Sequence, residues 1–118
     1  MLKNKFIYLC LGAAFLTAPA SASMLNITNK NQKPIKVKIA ADKDPNAMIK
    51  IKVSKENYST IRVDREHLNG TSTFSITGDT NPFTIGGSCS GLNVERDYNI
   101  TFTDDKVGTS CTSELIPD

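Results

Sequence analysis

Apolar and polar residues alternate along most of this chain, with a period of two. In Ile35-Lys36-Val37-Lys38-Ile39 three aliphatic side chains fall on one face and two lysines on the other, and Ile49-Lys50-Ile51-Lys52-Val53 repeats the pattern. Shorter alternations follow at Ile61 and Val63, Phe74 and Ile76, and Phe83 and Ile85. Tyr98-Asn99-Ile100-Thr101-Phe102-Thr103 is the clearest of all. Such alternation predicts half-buried β-strands. Leu25 and Ile27 belong to a first strand, and Leu115-Ile116 to a last one that Pro117 ends for want of an N–H. Turn signals separate the runs: Asn31-Gln32-Lys33-Pro34, Asp44-Pro45-Asn46, Asn69-Gly70, Gly78-Asp79, Gly86-Gly87 and Asp104-Asp105. No segment keeps a helical period. Seven or eight short strands at this spacing predict an all-β, antiparallel sandwich or barrel.

The amino end departs from this pattern. Lys3 and Lys5 precede an apolar run at residues 6–16, and Ala20-Ser21-Ala22 has the small-x-small form of a cleavage site. These features predict a signal peptide at residues 1–22, a single domain at residues 23–118, and export to the periplasm or the cell exterior. Eleven apolar residues are too few to span a bilayer, which needs about 20. Cys10 lies within the leader and follows Leu9, where a lipid-attachment site needs a small residue.

Export also changes the cysteine arithmetic. Without Cys10, only Cys89 and Cys111 remain, and two cysteines in an oxidising compartment allow one connectivity. They are too far apart for a C-x-x-C redox motif. Zinc would need more ligands than these two and His67, the one histidine. The expected bridge is structural and worth about 3 kcal/mol in the chain-entropy model.

Leu92-Asn93-Val94-Glu95-Arg96-Asp97-Tyr98 runs directly into the clearest strand. A leucine six residues before a strand-opening tyrosine resembles the corner of immunoglobulin-like and fibronectin type III-like sandwiches. That resemblance implies an immunoglobulin-like sandwich in which Leu92 and Tyr98 are structural. The Tyr98 ring would lie in the core and its hydroxyl would bond back to the backbone. The chain departs from antibody domains in having no tryptophan and in the spacing of its cysteines. The bridge would tie a loop before the corner to the strand after it. A fold resemblance of this kind carries no function.

No residue set points to a reaction. His67, in Arg65-Glu66-His67-Leu68-Asn69-Gly70, reads as a loop residue approaching a turn, and a lone histidine rules out a cupredoxin-type copper site. Asp42-Lys43-Asp44-Pro45-Asn46 has the spacing that opens a calcium loop, but Ala47 and Val53 stand where an EF-hand needs Gly and Glu. Asp79, Asp97, Asp104 and Asp105 would suit calcium only if the fold gathered them at one end. Gly86-Gly87-Ser88 lacks the lysine and helix of a phosphate loop and reads as a bend before Cys89. The sequons at Asn26, Asn57, Asn69 and Asn99 follow from an Asn/Ser/Thr-rich chain. No catalytic residue, metal or cofactor is expected, so the chain is read as a non-enzyme.

Charge is more informative. From Ser23 onward twelve basic residues balance twelve acidic ones, but ten of the basic residues lie at or before Arg65 and eight of the acidic ones after it. Lys36, Lys38, Lys50 and Lys52 all fall opposite the core positions of their strands. If the two strands pair, they make a lysine-studded face for an anionic partner: a lipid head group, an acidic polysaccharide or an acidic protein. Nucleic acid is disfavoured because no aromatics are interleaved. The competing role is protection of strand edges. The charge asymmetry also permits head-to-tail self-association, as an assembly subunit. A third reading is an enzyme inhibitor presenting the loop Gly78-Asp79-Thr80-Asn81-Pro82.

Overall fold

A computed structural model of the protein describes residues 22–81, 83–104 and 108–117. Apart from Ala22, the leader expected at residues 1–22 lies outside the described residues. The described chain is all-β: β1 (Ala22–Asn29), β2 (Ile35–Ala41), β3 (Asp44–Val53), β4 (Asn57–Asp64), β5 (Thr73–Asp79), β6 (Gly87–Asn93), β7 (Asp97–Asp104) and β8 (Thr109–Ile116). They form two four-stranded sheets, ordered β4-β1-β7-β8 and β3-β2-β5-β6.

The inward residues of both sheets meet in one apolar core. Leu25 and Ile27 of β1, Val37 and Ile39 of β2, Phe74 and Ile76 of β5, and Ile100 and Phe102 of β7 are all fully buried. Leu68 and Val94, in the β4–β5 and β6–β7 connections, close the core at one end. The period-two pattern thus turns directly into burial.

The sheets are not both antiparallel, as the alternation had implied. β1 pairs antiparallel with β4 but parallel with β7, with Leu25 opposite Tyr98 and Ile27 opposite Ile100. Alternation specifies a buried face but not the direction of a neighbour. Phe83 and Ile85, expected in a strand, lie in the β5–β6 loop and both point to solvent. Conversely, Cys89 sits on β6 rather than in a loop. β6 escapes the period-two pattern because its register with β5 shifts: Phe74 faces Leu92 but Ile76 faces Cys89. The inward residues Cys89 and Leu92 are therefore three apart, and Gly91 takes the positive φ (73°) that the bulge requires. The turn expected at Asp44-Pro45-Asn46 instead begins β3, with a register shift at Ala40/Ala41 of its partner β2.

The bridge joins Cys89 of β6 to Cys111 of β8. These are the outer strands of the two sheets on one side, so the bond staples one rim of the sandwich. Such a bridge fits an oxidising compartment. On the opposite rim β3 and β4 are joined by the short turn Ser54-Lys55-Glu56. Gly87 lets the stapled rim close: a Cβ there would lie 2.6 Å from the Ser110 carbonyl carbon and 2.7 Å from the Cys111 nitrogen.

Leu92 is buried and the Tyr98 ring nearly so. The Tyr98 hydroxyl accepts a hydrogen bond from the Asn93 backbone N–H at 3.1 Å. Tyr98→Phe would leave that N–H without its partner, and we expect it to lower stability by about 1 kcal/mol in a urea titration.

Candidate functional site: a lysine face on one sheet

The β2–β3 register places Lys36 directly opposite Lys52 and Lys38 directly opposite Lys50. All four side chains are exposed on the outer face of the sheet, because Ile35, Val37, Ile39 and Val53 take the inner face. Opposite residues on paired strands have Cβ atoms about 5 Å apart, and same-face residues along a strand are about 7 Å apart. The four ammonium stems therefore rise from a compact rectangle. β5 extends the two rows, with Asp79 opposite Lys36 and Thr77 opposite Lys38. The same residues, with Val37 and Ile51 between them in sequence, line an open groove of about 570 Å³.

Like charges placed directly opposite on a sheet are unfavourable, and among the described residues none of these four lysines forms an ion pair. The Arg–carboxylate pairs that do form there lie at the other end of the sandwich: Arg65 with Glu95 at 2.6 Å and Arg62 with Asp64 at 3.9 Å.

The outer face of the other sheet is built differently. The Asn26 side chain of β1 accepts a hydrogen bond from the Thr60 hydroxyl at 3.0 Å through Oδ1 and donates one through Nδ2 to Oδ1 of Asn99 at 3.1 Å. Asn26 is paired with Thr60 on one side and Asn99 on the other. Thr60, Asn26 and Asn99 in this row are uncharged, and Glu114 of β8 ends it opposite Asn99. Two of the sequon asparagines thus hold one another in a sheet ladder.

The other residues considered for chemistry are dispersed or structurally engaged. Asp79 and Asp104 end β5 and β7 at one end of the sandwich, while Asp97 starts β7 at the other; Asp105 lies outside the described residues. The fold therefore separates the carboxylates that a calcium site would have needed together. Among the described residues no three His, Cys, Asp or Glu side chains converge as a metal site. Asp42 accepts the Ser75 hydroxyl at 2.6 Å. Asp44 accepts the Asn69 amide at 2.7 Å and the Asn46 N–H at 3.0 Å. The Asn69 bond, then the Asn46 bond, holds the Asp44 carboxyl below its ordinary pKa. Nδ1 of His67 accepts the Asp64 N–H at 3.2 Å, while Asp64 accepts the His67 N–H at 3.0 Å. This reciprocal pair caps the turn in the manner of a capping box. The stretch considered as an inhibitory loop starts later than expected: Gly78 is a buried β5 residue whose Cβ position lies 2.8 Å from the Phe102 ring, and Pro82 lies outside the described residues.

One structural residue gave no sequence signal beyond a place near a turn. Asn29, the fully buried last residue of β1, donates through Nδ2 to the carbonyls of Lys33 (2.9 Å), Ser54 (3.1 Å) and Val53 (3.2 Å). Its Oδ1 accepts from the Asn31 N–H at 2.9 Å and the Asn31 amide at 2.7 Å. It thus ties the β1–β2 loop to the end of β3, beside the Lys36–Lys52 row. The chain matches no known protein family and no curated protein by sequence.

Proposed function

We propose that the protein is a small exported binding domain, an immunoglobulin-like sandwich and not an enzyme, that holds an anionic partner on the face formed by Lys36, Lys38, Lys50 and Lys52. One observation carries this reading: like-charged lysines stand opposite one another on paired strands, without ion pairs, on one outer face only. Edge protection accounts for Lys50 and Lys52, which lie on the outer strand β3. It does not account for Lys36 and Lys38, because β2 is an interior strand. An anion over the face removes the repulsion and gains attraction from all four lysines at once. The contact is electrostatic and exposed, so it weakens as salt shortens the Debye length to about 10 Å at 0.1 M.

The test is Lys38→Glu. Replacing a like-charge pair with an opposite-charge pair should raise stability by about 0.5 kcal/mol. The same change removes two charge units from the face. Retention on dextran sulfate at low salt should fall about 30-fold, taking about 1 kcal/mol per charge. Retention that stayed at the parent level, beside the stability gain, would show that the lysines serve the sheet and not a partner.

A further inference from the structure

We infer that the anionic partner is a lipid bilayer, and that the β5–β6 loop beside the lysine face is the element that enters it. This rests on the lysine face being a binding surface and adds a second, independent observation. Phe83 is 96 % exposed and Ile85 65 % exposed, on one short loop. They are the two most exposed aliphatic or phenylalanine side chains among the described residues. Leaving both in water forgoes apolar burial that the core gives to Phe74 and Phe102.

The loop is built to hold them out. The Asn81 side chain accepts the Phe83 N–H at 2.8 Å, and the Thr84 hydroxyl donates to the Asn81 carbonyl at 3.1 Å. The Ile85 carbonyl accepts the Thr109 N–H at 2.9 Å, pinning the loop to the start of β8. Phe83 is thus presented by a hydrogen-bonded turn anchored at its far side.

Strand order places this loop against the basic end of the molecule. β5 ends at Asp79, which is opposite Lys36, which is opposite Lys52. The β1–β2 and β3–β4 connections emerge at this same end and carry exposed Lys30, Lys33 and Lys55. Among the described residues, the half of the sandwich that includes this end holds seven lysines against three carboxylates (Glu56, Asp79 and Asp104). The other half holds four basic residues against seven acidic ones.

A projecting aromatic and aliphatic pair at the lysine-rich end of the sandwich matches the bilayer interface, where apolar side chains sink to the acyl boundary and lysines meet anionic head groups. It is a poor match to a protein partner. Lysine is depleted from the cores of protein interfaces, and two convex side chains fall far short of the roughly 800 Å² that each partner of a stable complex buries.

The experiment uses the oxidised domain and three probes: vesicles of phosphatidylglycerol and phosphatidylcholine in equal parts, vesicles of phosphatidylcholine alone, and soluble dextran sulfate. The parent should sediment with the anionic vesicles only. Phe83→Ser should lose at least about tenfold in vesicle affinity, from the burial expected of one phenylalanine, while keeping dextran sulfate binding and the parent melting temperature. Because the chain has no tryptophan, Phe83→Trp supplies a single reporter, whose emission should shift to the blue with anionic vesicles and not with dextran sulfate. Dextran sulfate binding without vesicle binding would overturn the bilayer and leave the lysine face standing. Binding to neither would overturn both. Equal vesicle affinity for Phe83→Ser and the parent, or bound Phe83→Trp without a blue shift, would remove the loop from the contact.

Discussion

Replacing Cys89 and Cys111 together with serine should lower the stability of the domain by about 3 kcal/mol, the loop-closure value for a bridge with a sequence separation of 22. In a domain of this size the total is about 5–15 kcal/mol, so the loss is a large fraction. The architecture concentrates the effect. The sheets have two rims, and the chain itself closes only the β3–β4 rim through a short turn. At the β6–β8 rim the sheets meet through the disulfide, the close backbone approach at Gly87, the hydrogen bond from the Thr109 N–H to the Ile85 carbonyl and the core beneath. Guanidinium titrations of the oxidised domain and the double serine variant measure the difference. Hydrogen exchange should show the largest loss of protection in β6 and β8, and little in β1 and β2. A change below about 1 kcal/mol would mean that core packing alone holds this rim.

Asn29→Ala should be comparably severe, at about 3 kcal/mol. The side chain is fully buried and its amide serves three backbone carbonyls, while its oxygen receives two donors from Asn31. Truncation to alanine leaves several of these groups buried without partners, each costing about 1–3 kcal/mol. Asn29→Asp should not rescue it, because a carboxylate cannot donate to the carbonyls of Lys33, Val53 and Ser54. Urea midpoints of both variants test this. The loss should spread to the neighbouring connections, since Asn29 holds the segments that carry Lys33 and Lys55. A titration showing less than about 1 kcal/mol for Asn29→Ala would mean that water replaces the amide.

Much of this molecule could be read from its sequence where side chains alternate. β2, β3 and β7 announce themselves because one face is buried and the other solvated, and the lysines of β2 and β3 had to share a face if those strands paired. Other features were hidden for identifiable reasons. β6 contains a bulge, so Cys89 and Leu92 face inward three residues apart, and a period-two reading passes over them. Phe83 and Ile85 alternate as strand residues do, yet both side chains are exposed. Periodicity cannot tell an apolar pair destined for the core from one held in solvent. The direction of β1 against β7 was likewise out of reach, because side-chain patterning is the same for parallel and antiparallel neighbours. The Asp97–Asp104 separation follows from strand length, and a cluster of aspartates in sequence says nothing about which end of a strand each will occupy. Asn29 looks like any asparagine near a turn; its role arises from carbonyls more than twenty residues away, at Val53 and Ser54.

The position of β1 has a consequence in time. It is the first strand of the described chain, yet it lies inside its sheet, between β4 and β7. Its parallel partner runs from Tyr98 to Phe102 along the register, near the end of the chain. A chain appearing amino end first must therefore keep Leu25 and Ile27 without their final neighbour until most of it has emerged. Non-local pairings of this kind slow folding, because loop closure must precede the contacts that reward it. The Cys89–Cys111 bridge also involves only the last portion of the chain. Both events that complete the sandwich, the β1–β7 pairing and the disulfide, wait for the same late segment of the chain.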